Sequence, residues 1–185
     1  MNSLVLDTEK AWLLGITKRQ SPHCDARPVN TEIDLIVIHG ISLPPGKFGG
    51  PHIDALFMGT LDKKAHPSFV SIAHLHVSAH LLIRRTGVMI QYVSLQQRAW
   101  HAGVSTFQGR ERCNDFSIGI ELEGTDNAPY TDKQYSQLAS VIQGLRQTWP
   151  VFTKERVVGH CDVAPGRKTD PGPAFNWQRL RRLLS

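Results

Sequence analysis

Ile33-Asp34-Leu35-Ile36-Val37-Ile38 runs directly into His39-Gly40. A nearly continuous apolar run of this length reads as a strand covered on both faces, and so as a central strand of a layered domain. The run predicts a strand over 33–38 that ends at His39-Gly40. Phe116–Leu122 is a second apolar strand of the same kind. Ala79–Arg84 and Val88–Val93 flank Arg85-Thr86-Gly87, a hairpin signal with glycine free to take a positive φ. A short strand is expected at Arg156–Val158.

Helical spacing appears twice. Thr131 with Gln134 has the form of a capping box, and Tyr135, Leu138, Ile142, Leu145 and Trp149 follow at helical intervals. That helix should reach about Thr148 and stop at Pro150. A second amphipathic helix is expected from Asn176, its cap, to Leu184, with Trp177, Leu180 and Leu184 inward. The first 30 or so residues read as irregular. Ser42 to Pro67 reads as a long loop holding one short helix, His52 to Met58; a loop of that length in a compact domain is more often functional than idle. Strands and helices alternate without a strict βαβ order. The predicted fold class is therefore α/β, a mixed central β-sheet flanked by α-helices, as a single domain over 1–185.

A chain of 185 residues with 41% hydrophobic and 20% charged residues can bury a full core. No stretch approaches the ~20 apolar residues of a membrane span. Met1 to Glu9 carries acidic residues where a signal peptide wants Lys or Arg, so a cytoplasmic protein is expected. Cys24, Cys113 and Cys161 are widely spaced and odd in number, which fits a reducing compartment better than a disulfide framework. The net charge of +5 is scattered apart from Arg179, Arg181 and Arg182, with no nucleic-acid motif. It reads as a mildly basic surface, or as a field suited to a small anionic substrate.

Chemistry gathers in Gly159-His160-Cys161-Asp162-Val163-Ala164-Pro165-Gly166-Arg167-Lys168-Thr169-Asp170-Pro171-Gly172. In an extended segment Lys168 and Asp170 leave the same face, and Pro171 biases Asp170 toward that form. A fold back at Pro165-Gly166 brings His160 beside Asp170. With His39 at a strand end, two nitrogens and one oxygen would meet, which is the ligand number of catalytic rather than structural zinc. Along Ser117–Glu123, alternation sets Gly119, Glu121 and Glu123 on one face, where Glu121 can lean over such a site as a base. Each residue alone has a plainer reading: His39 as a hydrogen-bonded strand end, Glu121 and Glu123 as a solvated face, Lys168 as a surface lysine, His160 with Asp170 as an ion pair. Cys161 beside His160 and Cys24 beside His23 are poor nucleophile pairs, because neighbours in an extended chain point apart. Cys113 reads as buried structure, and His52, His66, His74 and His80 as structural or surface groups.

The chain resembles the AmpD family of anhydro-muramoyl-peptide amidases, within the broader amidase and peptidoglycan-recognition fold. The resemblance rests on Ser21-Pro22-His23, Ile38-His39 with Ile41-Ser42-Leu43-Pro44-Pro45-Gly46, Val77-Ser78-Ala79-His80, Arg98-Ala99-Trp100-His101-Ala102-Gly103, Arg110-Glu111-Arg112-Cys113-Asn114-Asp115, Ser117 to Gly124 and His160 to Gly172. These stretches span about residues 20–180 in the family's order. The resemblance implies that His39, His160 and Asp170 bind zinc, that Glu121 is the catalytic base and that Lys168 stabilises the oxyanion. It implies that Arg112 meets a carboxylate of the stem peptide and associates Trp100 and His101 with the substrate groove. Two positions depart from the pattern: Gly40 stands where many members have Asn, and His76 where some have an arginine that helps hold the peptide.

The expected function is zinc-dependent cleavage of the amide between anhydro-N-acetylmuramic acid and L-alanine during muropeptide recycling. The expected partner is the anhydro-muropeptide itself, with no nucleic acid or membrane, and the expected state is a monomer. A wall-fragment-binding module of the same fold would lack a ligand or the base. An exported amidase would need a signal peptide, and a ligand-sensing regulator a DNA-binding element.

Overall fold

The structure, a computed structural model, describes residues 5–7 and 11–185. The signal-peptide reading of Met1 to Glu9 thus falls mostly outside the described residues. Six strands form the main sheet: β1 (Thr17–Lys18), β2 (Leu35–Ile41), β3 (Leu81–Ile83), β4 (Met89–Gln91), β5 (Ser117–Glu123) and β6 (Val157–Gly159), in the order β6-β2-β5-β3-β4-β1. The β3–β4 hairpin is the antiparallel pair and the other neighbours run parallel, so the sheet is mixed. Helices are α1 (His52–Phe57), α2 (Asp132–Thr148), α3 (His160–Val163) and α4 (Trp177–Leu183). Among the described residues, no helix is long and apolar enough to cross a membrane.

The two apolar runs became the two central strands because both of their faces are covered. On one face Ile36, Ile38, Ile118, Ile120 and Leu122 pack under Leu138, Ile142 and Leu145 of α2 and Leu180 of α4. Burial of each such side chain contributes on the order of 1.5–3 kcal/mol. On the other face Leu35 and Val37 meet Ala102, Cys113, Phe116 and Val163, and Leu82 and Ile90 meet α1. α2 begins at the capping box: the Thr131 hydroxyl accepts from the Gln134 amide at 3.2 Å, and Gln134 Oε1 accepts from the Thr131 amide at 3.0 Å. Gln134 Nε2 also donates to the carbonyls of Ile83 and Glu123, which ties the helix start to β3 and β5.

Several boundaries differ from the sequence reading. β2 starts at Leu35 and runs through His39 and Gly40 to Ile41, because all seven of its residues pair with β5, from Leu35↔Ser117 to Ile41↔Glu123. The hairpin strands are shorter than expected, and Gly87 turns the chain at φ +86°. The N-terminal part is not wholly irregular: β1 adds to the sheet edge, and Cys24–Ala26 pairs with Gln97–Ala99. After β6 the chain coils into α3 instead of extending, since Asp162 Oδ2 accepts from the Gly159 amide at 2.7 Å and starts a helical turn.

Candidate active site

β2, β5 and β6 are parallel and end at the same edge of the sheet, where ligands bind in folds of this kind. His39 and Glu121 are partners in register, so their side chains stand side by side on one face. Gly159 pairs with Ile38, which places His160 one residue beyond β6, next to His39. The 160–170 loop closes on itself as the Cys161 amide donates to the Asp170 carbonyl at 3.0 Å, and the Gly40 amide lies 3.4 Å from Asp170 Oδ2.

Three ligating atoms converge here. His39 Nδ1 lies 2.9 Å from His160 Nδ1, and Asp170 Oδ2 lies 3.1 Å from His160 Nδ1 and 3.3 Å from His39 Nδ1. Ligand atoms on a tetrahedral zinc, at bonds of ~2.0–2.1 Å, stand about 3.3 Å apart. The donor chemistry fits as well. His160 Nε2 is 3.1 Å from the Ala102 carbonyl, which can only accept, so that nitrogen carries the proton and Nδ1 offers a lone pair. Burial pushes the His39 imidazole down to about 4, so it is neutral at physiological pH. These three atoms could hold a metal ion between them.

Glu121 is only 8% exposed, and its Oε2 has no hydrogen-bond partner among the described residues. Burial raises its carboxyl well above the ordinary value, as does the nearby Asp170 charge, while Lys168 acts in the opposite sense. The solvated-face reading of Glu121 and Glu123 fails, because the whole of β5 is buried. Glu123 instead pairs with Arg84 at 3.2 Å. His39, Glu121, Lys168 and Asp170 line one cavity of about 260 Å³. Its far wall is apolar, with Leu43, Leu56, Phe57, Ile72, Leu75 and Val77 supplied by the long loop and the segment after it.

Cys161 remains unsuited to nucleophilic work, though for a reason other than an extended chain. Burial and the adjacent Asp162 charge push its thiol up, away from the reactive thiolate.

His101 sits closer to the ligand cluster than the sequence suggested. Its Nδ1 is 2.9 Å from His39 Nε2, and its Nε2 is 3.2 Å from Ser117 Oγ. Burial, reinforced by the neighbouring histidines, holds this ring well below its usual pKa. The imidazole lies over Gly119, where a methyl group would overlap it. Gly119→Ala is therefore expected to displace His101 and to destabilise the fold by about 1–3 kcal/mol, the usual cost of overpacking. A thermal melt showing no loss would refute that packing. Ser117 was not singled out from sequence, and Gly119 was read only as the small neighbour of Glu121 on its face, although a glycine inside a buried strand also signals a close approach.

The remaining candidates are placed unevenly. Trp100 lines the same cavity and donates from Nε1 to Asp25 Oδ1 at 3.1 Å. Arg112 is exposed, sits in left-handed backbone at φ +61°, and with Trp100, Arg98 and Asn114 lines an adjoining cavity of about 230 Å³. His76 is exposed and stacks on His23, with ring centroids 5.0 Å apart, and is not among the residues lining the cavity of the ligand cluster. A side chain at Gly40 would meet the Tyr130 hydroxyl, which donates to the Pro171 carbonyl at 2.9 Å. Position 40 thus abuts the packing beneath Asp170, while Gly40 itself is among the residues lining the cavity of the ligand cluster. His80 is fully buried, its Nδ1 accepting from the Gly119 amide at 3.0 Å.

Fold and site together define a hydrolytic enzyme that works at the strand ends of a mixed sheet, over a cluster of two imidazoles and a carboxylate. The model of the N-acetylmuramoyl-L-alanine amidase family matches residues 29–173. The chain belongs to that family, in its AmpD branch. It is 62% identical to the 1,6-anhydro-N-acetylmuramyl-L-alanine amidase AmpD of Escherichia coli K12 over 177 residues, 96% of each chain. The crystal structure of a selenomethionine AmpD derivative superposes with a TM-score of 0.94 at 58% identity, covering 98% of this chain and 100% of that one. The amidase AmiD of E. coli, solved in complex with the substrate anhydro-N-acetylmuramic acid-L-Ala-D-γ-Glu-L-Lys, matches with a TM-score of 0.60 at 30% identity. That match covers 99% of this chain and 66% of AmiD.

Proposed function

We propose that this chain is a zinc-dependent amidase that hydrolyses the bond between anhydro-N-acetylmuramic acid and L-alanine in muropeptides undergoing recycling. The observation that carries the proposal is the meeting of His39 Nδ1, His160 Nδ1 and Asp170 Oδ2 beside a Glu121 oxygen that has no hydrogen-bond partner among the described residues. His39, His160 and Asp170 would hold the ion. Zinc in such a site makes water acidic enough to attack near neutral pH and polarises the carbonyl.

Glu121 takes the proton of the attacking water at its free oxygen and passes it to the leaving alanine nitrogen. Its raised pKa brings it nearer the operating pH, where a base of this kind is most effective. Lys168 supplies a positive charge on the cavity wall for the oxyanion. Arg112 and Trp100 border the route a stem peptide would follow, and a guanidinium there can hold a carboxylate far from the cut bond. The apolar wall opposite suits the carbon face of a sugar. The relatives' names and the AmiD complex support the anhydro-muropeptide as substrate. The proposal includes action in the cytoplasm, as a monomer, without a nucleic-acid or membrane partner.

Mass spectrometry of an anhydro-muropeptide incubated with the protein tests this reading. Free peptide is expected from protein holding close to one zinc per chain, and none after chelation. An intact muropeptide with zinc-loaded protein, or full-rate cleavage after chelation, would refute it.

A further inference from the structure

The nitrogens of His101 are both engaged inside the protein, and the direction of each hydrogen bond can be worked out. The Ser117 hydroxyl lies 2.5 Å from the Cys113 carbonyl, which has no proton to give, so the Ser117 hydrogen points there. Ser117 Oγ then has only lone pairs for His101 Nε2 at 3.2 Å, so Nε2 is the protonated nitrogen. A neutral imidazole carries one proton. His101 Nδ1 is therefore an acceptor, and His39 Nε2, 2.9 Å away, must donate to it. The proton of His39 is thereby kept on Nε2, and its Nδ1 lone pair is left facing His160 Nδ1 and Asp170 Oδ2.

The ring has little freedom to escape this role. It is seated on Gly119, edge-on to His39 at 86°, and the His101 and Ala102 amides both donate to Asn114 Oδ1, at 3.1 and 2.8 Å. We propose that His101, held by Ser117, is a positioning residue that fixes the tautomer and orientation of His39 for metal binding, beyond its place on the cavity wall. The inference rests on the zinc reading of the site. An outer hydrogen-bond partner of a metal histidine typically changes metal affinity by ~10–100-fold.

Two readouts test it: zinc affinity by competition with a chelator, and nitrogen-15 NMR of the histidine rings in the metal-free protein. Wild type should show the His39 proton on Nε2. His101→Phe keeps the ring shape but not the acceptor, and should bind zinc about 10–100-fold more weakly with the His39 proton redistributed. His101→Asn restores an acceptor near the Nδ1 position and should recover most of that loss. Ser117→Ala frees His101 to take either tautomer and should give a smaller loss of affinity with mixed His39 protonation; it serves where His101→Phe does not fold. Unchanged zinc affinity in the folded variants, or a wild-type His39 protonated on Nδ1, would overturn the proposal. Wild type that binds no zinc would instead defeat the zinc reading, while the NMR assignment still decides the relay.

Discussion

Glu121→Gln should lower kcat by about 10²–10⁴-fold, the range that a positioned general base contributes, with zinc content left near one per chain. Glutamine keeps the size of the side chain and removes the capacity to take a proton. Glu121 stands opposite His39 in the parallel ladder and not within the ligand triangle, so the substitution separates proton transfer from metal binding. A variant that cleaves muropeptide at the wild-type rate would remove Glu121 from the mechanism.

The same residue links function to stability. Burial raises its folded-state pKa above the ordinary 4.5, so between those two values the unfolded chain is ionised while the folded chain keeps its proton. Stability from this group is fully present below pH 4.5 and declines as pH rises toward the folded-state value. Metal-free Glu121→Gln should accordingly melt higher than metal-free wild type at pH 7, with the gap closing as pH falls toward 4.5. A gap that widens on acidification would contradict the burial argument. A carboxyl kept in a dry site at the expense of stability is typical of catalytic groups.

Asp170→Ala is expected to cost zinc affinity by well over the ~10–100-fold that an outer partner contributes, and to abolish amide cleavage with it. Asp170 is the single carboxylate in a set whose other members are imidazoles. Without it, two nitrogen lone pairs 2.9 Å apart would face each other with no carboxylate to complete the cluster. Equilibrium dialysis against zinc checks the first effect and release of free peptide the second. Wild-type zinc retention would exclude Asp170 from the ligand set.

The parts of the fold that could be read from sequence are those with a local cause. Ile33–Ile38 and Phe116–Leu122 signal burial on both faces, and Thr131 with Gln134 marks the start of α2 by an interaction three residues long. β1 could not be read, because two residues carry no period and the strand exists only through pairing with Ile90 and Gln91. α3 was missed because four residues are too few for helical spacing, although Asp162 three residues after Gly159 was a usable signal. Alternation along β5 gave the correct partition of its side chains but not the environment of that face. Its burial is set by His101 over Gly119 and by Arg84 beside Glu123, contacts that come from elsewhere in the chain. The resemblance associates His101 with the groove, and His101 is among the residues lining the cavity; its closeness to His39 depends on strand register, which no single stretch reports. Arg112 and His76 came from resemblance alone, and their spacing carries no chemistry that points to a peptide.

The most direct test of the central claim is anomalous scattering at the zinc edge from crystals of the purified protein. One peak is expected, at bonding distance of about 2.0–2.1 Å from His39 Nδ1, His160 Nδ1 and Asp170 Oδ2. A peak bound elsewhere, or none in protein that cleaves muropeptide, would contradict it.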